Sequence, residues 1–542
     1  MKPLSIKNGT IIDGSGGPPY KGDLVLVDEK IVEVGPNLDL PAQMPGIDVS
    51  GLIVCPGFID THSHSDVSLL HSPDADSALY QGVTTEVIGN CGLTAFPVKE
   101  ATKHLLESYI IGLGYDKNVY PVDWPDFDNY AAVLNNNGSG INTVPLLGHG
   151  SIRIAVMGLE ARAATPQEIE EMGAYLQTAL EQGVWGLSSG LVYPPGINSP
   201  RMELEALCKI VADHGALYTT HLRGDTLRAG PSFIESLDEA LATARYTGVR
   251  LHISHAAPKF PNTGAVQSAI EMMQTARNEG LIVSCDAHPY LAAMTFLASL
   301  LPPWAFDGGT AKTIERFNSP AERSKLVEAI KAVFSHLDAD EFWPLNEVVL
   351  PDSKAEYDHS RIDAAARKMG LEPAEAMVEI LARSGERLFE IMVMQWIYSE
   401  EETCELFRWP YTTVGADGAT SSLGGNFSPL SLHPRSWGTF PKIVGDYCKH
   451  RNILSLEQII HRMTGLAADV MGISDRGTLG PDKKADIVVF NLDELKDTAT
   501  YKHPQQYAEG IEYVWVNGQM VIERGRRTGG RPGKVLKRRN IL

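Results

Sequence analysis

Eight apolar, strand-like runs alternate with helix-patterned stretches through the middle of the chain: Val54 to Ile59, Val83 to Ile88, Thr143 to Leu147, Val184 to Leu187, Leu217 to Thr220, Val249 to Ile253, Leu281 to Cys285 and Tyr411 to Val414. Eight such runs with intervening helices are what a (β/α)8 barrel requires, and barrel enzymes carry their chemistry at the C-terminal ends of the strands. The helix at 166 to 182 shows the local logic. Thr165 can cap it, Pro166 suits its first turn, Glu168 completes a capping box, and Ile169, Met172, Leu176, Ala179 and Leu180 form one apolar stripe before Gly183. About 125 residues separate the seventh run from the eighth, far beyond an ordinary connection. The spacing predicts an inserted lid or subdomain over about 291–405, with helices near 320–336 and 361–384.

Both ends of the chain have a different texture. Leu4 to Ile12, Asp23 to Val27 and Lys30 to Val34 are short strand patterns, and Asp486 to Phe490, Tyr513 to Val516 and Gln519 to Ile522 repeat the pattern, with an Asn517-Gly518 hairpin turn. Neither end has the helix or apolar mass of a domain by itself. The expected division is therefore a small β-domain from 1–55 plus 471–542, and a catalytic barrel over 56–470 that carries the insertion.

The net charge of −20 argues against a nucleic-acid partner. One local exception is the run from Arg524 to Arg539, with eight Arg or Lys. Such a run is expected to be a solvated tail or to contact an acidic patch on the same protein or on a neighbouring subunit of a homo-oligomer. The six cysteines form no C-x-x-C pair, and no apolar stretch approaches a membrane span. A cytoplasmic protein with reduced thiols and no membrane association is expected.

Five strand ends carry chemically capable residues. Asp60, His62 and His64 alternate at the end of the first, and two imidazoles at i, i+2 can face one ion. Cys91 follows the second, in Gly89-Asn90-Cys91-Gly92, where a thiolate could ligate one ion or bridge two. His221 and Arg223 end one strand and His255 the next, whereas alternation sends His252 to the helix-facing side. Asp417 ends the eighth strand, which closes the barrel beside His62 and His64. His149, at another strand end, is expected to line the pocket.

At these residues the sequence resembles the amidohydrolase superfamily and, within it, the N-acyl-D-amino-acid deacylases or D-aminoacylases. The resemblance runs over nearly the whole chain. It includes Asn8 to Gly14, Cys55 to Asp60 with His62 and His64, Gly82 to Gly92, His221-Leu222-Arg223, Ile253-Ser254-His255, His433 to Pro441, Asp475-Arg476-Gly477 and Ala485 to Phe490. It implies a zinc barrel in which Cys91, His221 and His255 hold the tightly bound ion. Cys91 stands where relatives have a carboxylated lysine or a glutamate. His62, His64 and Asp417, with Cys91 bridging, would frame a second site that is weak or empty.

The chemistry implied is hydrolysis of the amide bond of N-acyl-D-amino acids or D-configured dipeptides. Zinc draws the pKa of water from about 15.7 toward roughly 7. Asp417 would take the water proton and pass it to the departing amine nitrogen. The substrate is a small amide bearing a carboxylate, for which Arg435 is the first partner because planar pairing favours arginine. Tyr290 would add a hydroxyl, and His288 departs from the aromatic residue relatives often have before Pro-Tyr. Ala257 stands where many relatives have a lysine, so Lys259 or Arg223 would have to substitute. That departure motivates a second expectation, a cyclic amide, N-carbamoyl or xenobiotic amide substrate. A non-catalytic barrel scaffold is the third.

Overall fold

The computed structural model describes residues 3–117, 119–352, 354–424 and 428–538. Its centre is a closed (β/α)8 barrel, as expected. The strands are Phe58–Asp60, Val83–Ile88, Asn142–Pro145 continued by Leu147–Gly148, Gly186–Gly190, Leu217–His221, Arg250–Ile253, Val283–Ala287 and Thr412–Val414, and neighbours pair in parallel. The ring closes between the eighth and first strands. Asp417 N donates to His62 O at 2.7 Å, and His64 N to Gly418 O at 2.8 Å. The helix Pro166–Gln182 has the Thr165/Glu168 capping box and ends on Gly183 at φ 107°.

The first expected strand is two strands. Ile53–Pro56 pairs outside the barrel, and the chain then crosses at Gly57 into Phe58–Asp60. A Cβ at Gly57 would lie 2.1 Å from Thr84 Oγ1, so only glycine lets the chain pass this close to the second strand.

Ile53–Pro56 sits centrally in a sheet made from both chain ends. Across that sheet run Arg526–Arg527, Gln519–Glu523, Ile511–Val516, Ile487–Phe490, Ile53–Pro56, Leu4–Ile11, Tyr20–Val27 and Lys30–Gly35. Alternation divides its side chains between two faces. Val54, Ile487, Val489 and Trp515 join Leu24 and Ile31 in the sheet's own core. Cys55, Val488 and Phe490 face the barrel, where Phe490 meets Phe58 at 6.5 Å between rings.

The basic run belongs to this chain's own packing. Arg527 pairs with Asp76 at 2.8 Å, Arg531 with Asp74 at 2.8 Å, Lys534 with Glu29 at 2.6 Å, and Lys537 with Asp128. Backbone bonds from Leu536 to Thr143 and from Arg538 to Gly183 lace the tail along the N-terminal ends of the barrel strands. Arg539 lies outside the described residues.

Between the seventh and eighth strands the chain forms an antiparallel sheet of Ala292–Phe296, Met392–Trp396, Asn346–Val349 and Ser360–Arg361, covered by helices. One helix, Pro320–Val333, lies where a helix is expected. The other expected helix is two, Ile362–Met369 and Pro373–Ser384, interrupted by Gly370 at φ 67°. Helix Glu400–Arg408 packs on Val266–Asn278 and on the last two barrel strands, which makes it part of the barrel's helical layer. Among the described residues no helix is long and apolar enough to cross a membrane.

Candidate metal centre

Cys91, His255 and Asp417 all follow barrel strands, and all three have left-handed backbones, with φ of 52°, 34° and 53°. Non-glycine residues adopt this region rarely and at a cost, and they persist where the surroundings fix them. Here the turn aims each side chain across the barrel mouth. Cys91 Sγ lies 3.4 Å from His62 Nε2, 3.7 Å from His221 Nδ1 and 3.6 Å from His255 Nε2. Tetrahedral zinc with Zn–S and Zn–N bonds of ordinary length separates its sulfur and nitrogen donors by about 3.6 Å. The donor set and its spacing therefore fit such an ion.

Asp417 completes one side of the cluster. Its Oδ1 is 3.1 Å from His64 Nε2 and 3.4 Å from His62 Nε2, and its Oδ2 is 2.7 Å from Arg435 Nη1. Two overlapping groups could each hold an ion: His62, Cys91, His255 and Asp417, and His221, Asp225 and His255. Burial disfavours the Cys91 thiolate, yet the charge on His62 and hydrogen bonds from His221, His255 and His62 hold its pKa well below the usual thiol value. Burial also opposes ionisation of Asp417, but Arg435 and His64 keep it well below the carboxylate range. Both groups are thus held as anions, the state a cation needs.

Two carboxylates behind these residues are absent from the sequence-based set. Asp225 Oδ2 lies 3.0 Å from His255 Nδ1, 2.9 Å from Lys259 Nζ and 3.6 Å from His221 Nε2. Against burial, Lys259 and His255 lower its pKa to about 2. Asp286 Oδ2 lies 3.2 Å from His62 Nδ1 and 2.9 Å from His252 Nε2, while its Oδ1 accepts the His255 backbone N–H at 2.7 Å. The only sequence signal for Asp286 was its place near the end of the seventh strand, in Asp286-Ala287-His288.

His252 is a correction. Its ring lies inside the barrel against Asp286 and Ser284, rather than toward the helices. The strand ends at Ile253 and the chain turns at His255, so alternation cannot be counted back from His255. His149 is buried and shares Glu203 with Arg153, at 2.7 Å and 2.6 Å, away from the cavity. Asp60 accepts the backbone N–H groups of His62 and Ala416 and supports the turn beside the cluster.

A cavity opens beside the cluster between barrel and insertion. His64, His221, His255 and Asp417 line it, together with Lys259 and Arg435. Tyr193, which sequence reasoning passed over, lines it as well, its ring edge-on to His221 and its hydroxyl 3.1 Å from Thr295 Oγ1. Three expected substrate-binding residues are engaged elsewhere. Tyr290 donates to Asp497 at 2.8 Å. Arg223 is occupied by Glu239 and by the carbonyls of Ile197 and Ser199. His288 stacks edge-on against Tyr398 behind the cavity, and burial with the neighbouring Arg435 charge pushes its pKa down to about 3.

A barrel with thiolate, imidazole and carboxylate donors converging at its strand ends is the architecture of a metal-assisted hydrolase. The amidohydrolase family model matches residues 46–194 and 423–522. The chain is 33% identical over 534 residues to an N-acyl-D-aspartate deacylase of Alcaligenes xylosoxydans xylosoxydans, covering 98% of this chain and 94% of that one. It is 32% identical to a D-aminoacylase of the same organism, over 99% and 97%. A crystal structure of the N-acyl-D-glutamate deacylase of Bordetella bronchiseptica, complexed with zinc and a phosphonate mimic of the tetrahedral intermediate, superposes with a TM-score of 0.81. Its identity is 31%, with 98% of this chain and 99% of that chain covered. The chain belongs to the amidohydrolase family, in its D-aminoacylase branch.

Proposed function

We propose that this protein is a zinc-dependent deacylase that hydrolyses N-acyl-D-amino acids, or D-configured dipeptides, to a carboxylate and a free D-amino acid. The observation that carries the reading is the single thiolate of Cys91 set 3.4–3.7 Å from three imidazoles. Cys91, His221 and His255 would hold the tightly bound ion. His62, His64 and Asp417, sharing Cys91, would form the weaker site. A bound divalent ion supplies an activated water and polarises the amide carbonyl.

The remaining roles fall to the chain's own side chains. Asp417 accepts the water proton and hands it to the leaving nitrogen, which departs as an amine once the C–N bond breaks. Tyr193 can donate its hydroxyl to the amide oxygen. Arg435 and Lys259, the cations lining the cavity, can grip the α-carboxylate. Lys259 takes over from the lysine that Ala257 replaces, and Asp225 holds it in place at 2.9 Å.

The proposal includes the division of the chain into barrel, two-ended β-domain and a lid over the mouth. It also includes a cytoplasmic location, consistent with six free, buried cysteines. The test is a hydrolysis screen of N-acetyl-D- and N-acetyl-L-amino acids, with zinc quantified in the same sample. Turnover of D substrates alone by zinc-containing protein is expected. Turnover of cyclic ureides instead, with acyl-D-amino acids untouched, would replace the reading.

A further inference from the structure

Resting on that deacylase reading, we infer that the preferred substrate carries an apolar side chain on its D-amino acid, and that its α-carboxylate is the only carboxylate the cavity receives. Kinship leaves this open, because the relatives named above act on D-aspartate and D-glutamate derivatives as well as under the broader name of D-aminoacylase.

The cavity walls decide it. Away from the metal cluster Leu93, Val192, Leu227, Met294, Phe296 and Leu300 line the cavity, interleaved with the neutral polar Thr226, Thr295 and Gln395. Met294 and Phe296 come from the first strand of the insertion and Leu300 from the turn after it, so the segment covering the mouth also supplies the apolar wall. Among the described residues Lys259 and Arg435 are the only lysine and arginine lining the cavity. Each already faces a carboxylate, Asp225 at 2.9 Å and Asp417 at 2.7 Å. One substrate carboxylate can share these two cations, but a second would meet only hydrocarbon and neutral hydroxyl or amide groups, with no cation to balance its charge.

Arg228, whose partners Ser299 and Leu301 flank the lining residue Leu300, is engaged elsewhere. It is buried behind the wall, and one of its terminal nitrogens donates to the carbonyls of Ser299 and Leu301, so it braces the turn that carries Leu300. Neutral polar groups on the lining, such as Thr226, Thr295 and Gln395, can bond an amide or a hydroxyl but do not neutralise a carboxylate.

The experiment is a comparison of kcat/KM on the zinc-loaded full chain for N-acetyl derivatives of D-Leu, D-Met, D-Phe, D-Ala, D-Asp and D-Glu, with the acetyl group constant. D-Leu or D-Met is expected to exceed D-Asp and D-Glu by about 100-fold or more, since one mismatched methylene in an apolar pocket is already worth roughly 10–200-fold and an unpaired carboxylate costs more. Met294→Ala should lower the D-Leu to D-Ala ratio, chiefly by raising the KM for the D-Leu substrate. Equal or faster turnover of D-Asp or D-Glu overturns the inference, as does a D-Leu to D-Ala ratio near one in the native protein. Failure to hydrolyse every N-acetyl-D-amino acid would instead overturn the deacylase reading beneath it.

Discussion

His62 Nδ1 and Asp286 Oδ2 stand 3.2 Å apart, and the pairing turns the other ring nitrogen of His62 toward Cys91 and Asp417. The same carboxylate receives His252 and the backbone of His255. Burial opposes its charge, but His62 and His252 hold Asp286 far below the carboxylate range. One anion thus orients a ligand of the proposed second site and fixes the turn that presents a ligand of the first.

Replacing this carboxylate by its neutral isostere should separate orientation from shape. In Asp286→Asn the zinc affinity is expected to fall about 10–100-fold, the range for a partner that orients a metal ligand. Competition against a chromogenic chelator measures it. Native affinity in the variant would show that Asp286 does not orient the site.

Gly415 packs against the same pair. A Cβ there would sit 2.6 Å from His62 Cβ and 2.9 Å from Asp286 Oδ1. Gly415→Ala should therefore destabilise the protein by about 1–3 kcal/mol, as overpacking does, and should weaken metal binding together with it. Denaturant titration and metal analysis of one preparation provide both readings. A variant with native stability and full metal content would contradict the close packing.

Asp417→Asn should lower kcat by about 10²–10⁴-fold, the usual contribution of a positioned acid–base group, while zinc remains on Cys91, His221 and His255. Steady-state kinetics with metal quantification tests this. Near-native kcat would remove Asp417 from proton transfer.

The two chain ends should come apart in acid. Hydrogen bonds from Lys484 and then Lys534 lower the Glu29 pKa from 4.5 to about 2. A depressed carboxylate contributes stability above its unfolded pKa and loses it as pH falls through the folded value. Protection from proteolysis at the C-terminal tail should accordingly decline between about pH 4.5 and 2. Lys534→Ala should reduce that decline, and a tail equally protected at both ends of the range would show that the pair does not fasten it.

Most of the barrel could be read from periodicity, and each candidate donor stands out because it closely follows an apolar run. The positions of Cys91, His221, His255 and Asp417 follow from the rule that chemistry gathers at C-terminal strand ends, whereas their proposed roles as ligands came from the family resemblance. What escaped was set by tertiary packing. The left-handed turn at His255 breaks the alternation that would have placed His252 inside, and Gly57 moves the chain between sheets within an apparently continuous apolar run. Asp225 and Asp286 carry no motif; apart from His221, four residues from Asp225, the histidines they meet lie 30 to 224 residues away in sequence and 2.9–3.2 Å away in space. Arg223 and Tyr290 had the right chemistry, but Glu239 and Asp497 occupy them.

The Cys91 thiolate is the donor shared by both proposed ion positions. The decisive measurement is zinc content and N-acetyl-D-amino-acid hydrolysis of Cys91→Ala beside the native protein, both purified without chelator. The variant should lose tightly bound zinc and activity together while keeping its fold by circular dichroism. A Cys91→Ala protein that retains native zinc and native turnover would contradict a ligand role for Cys91.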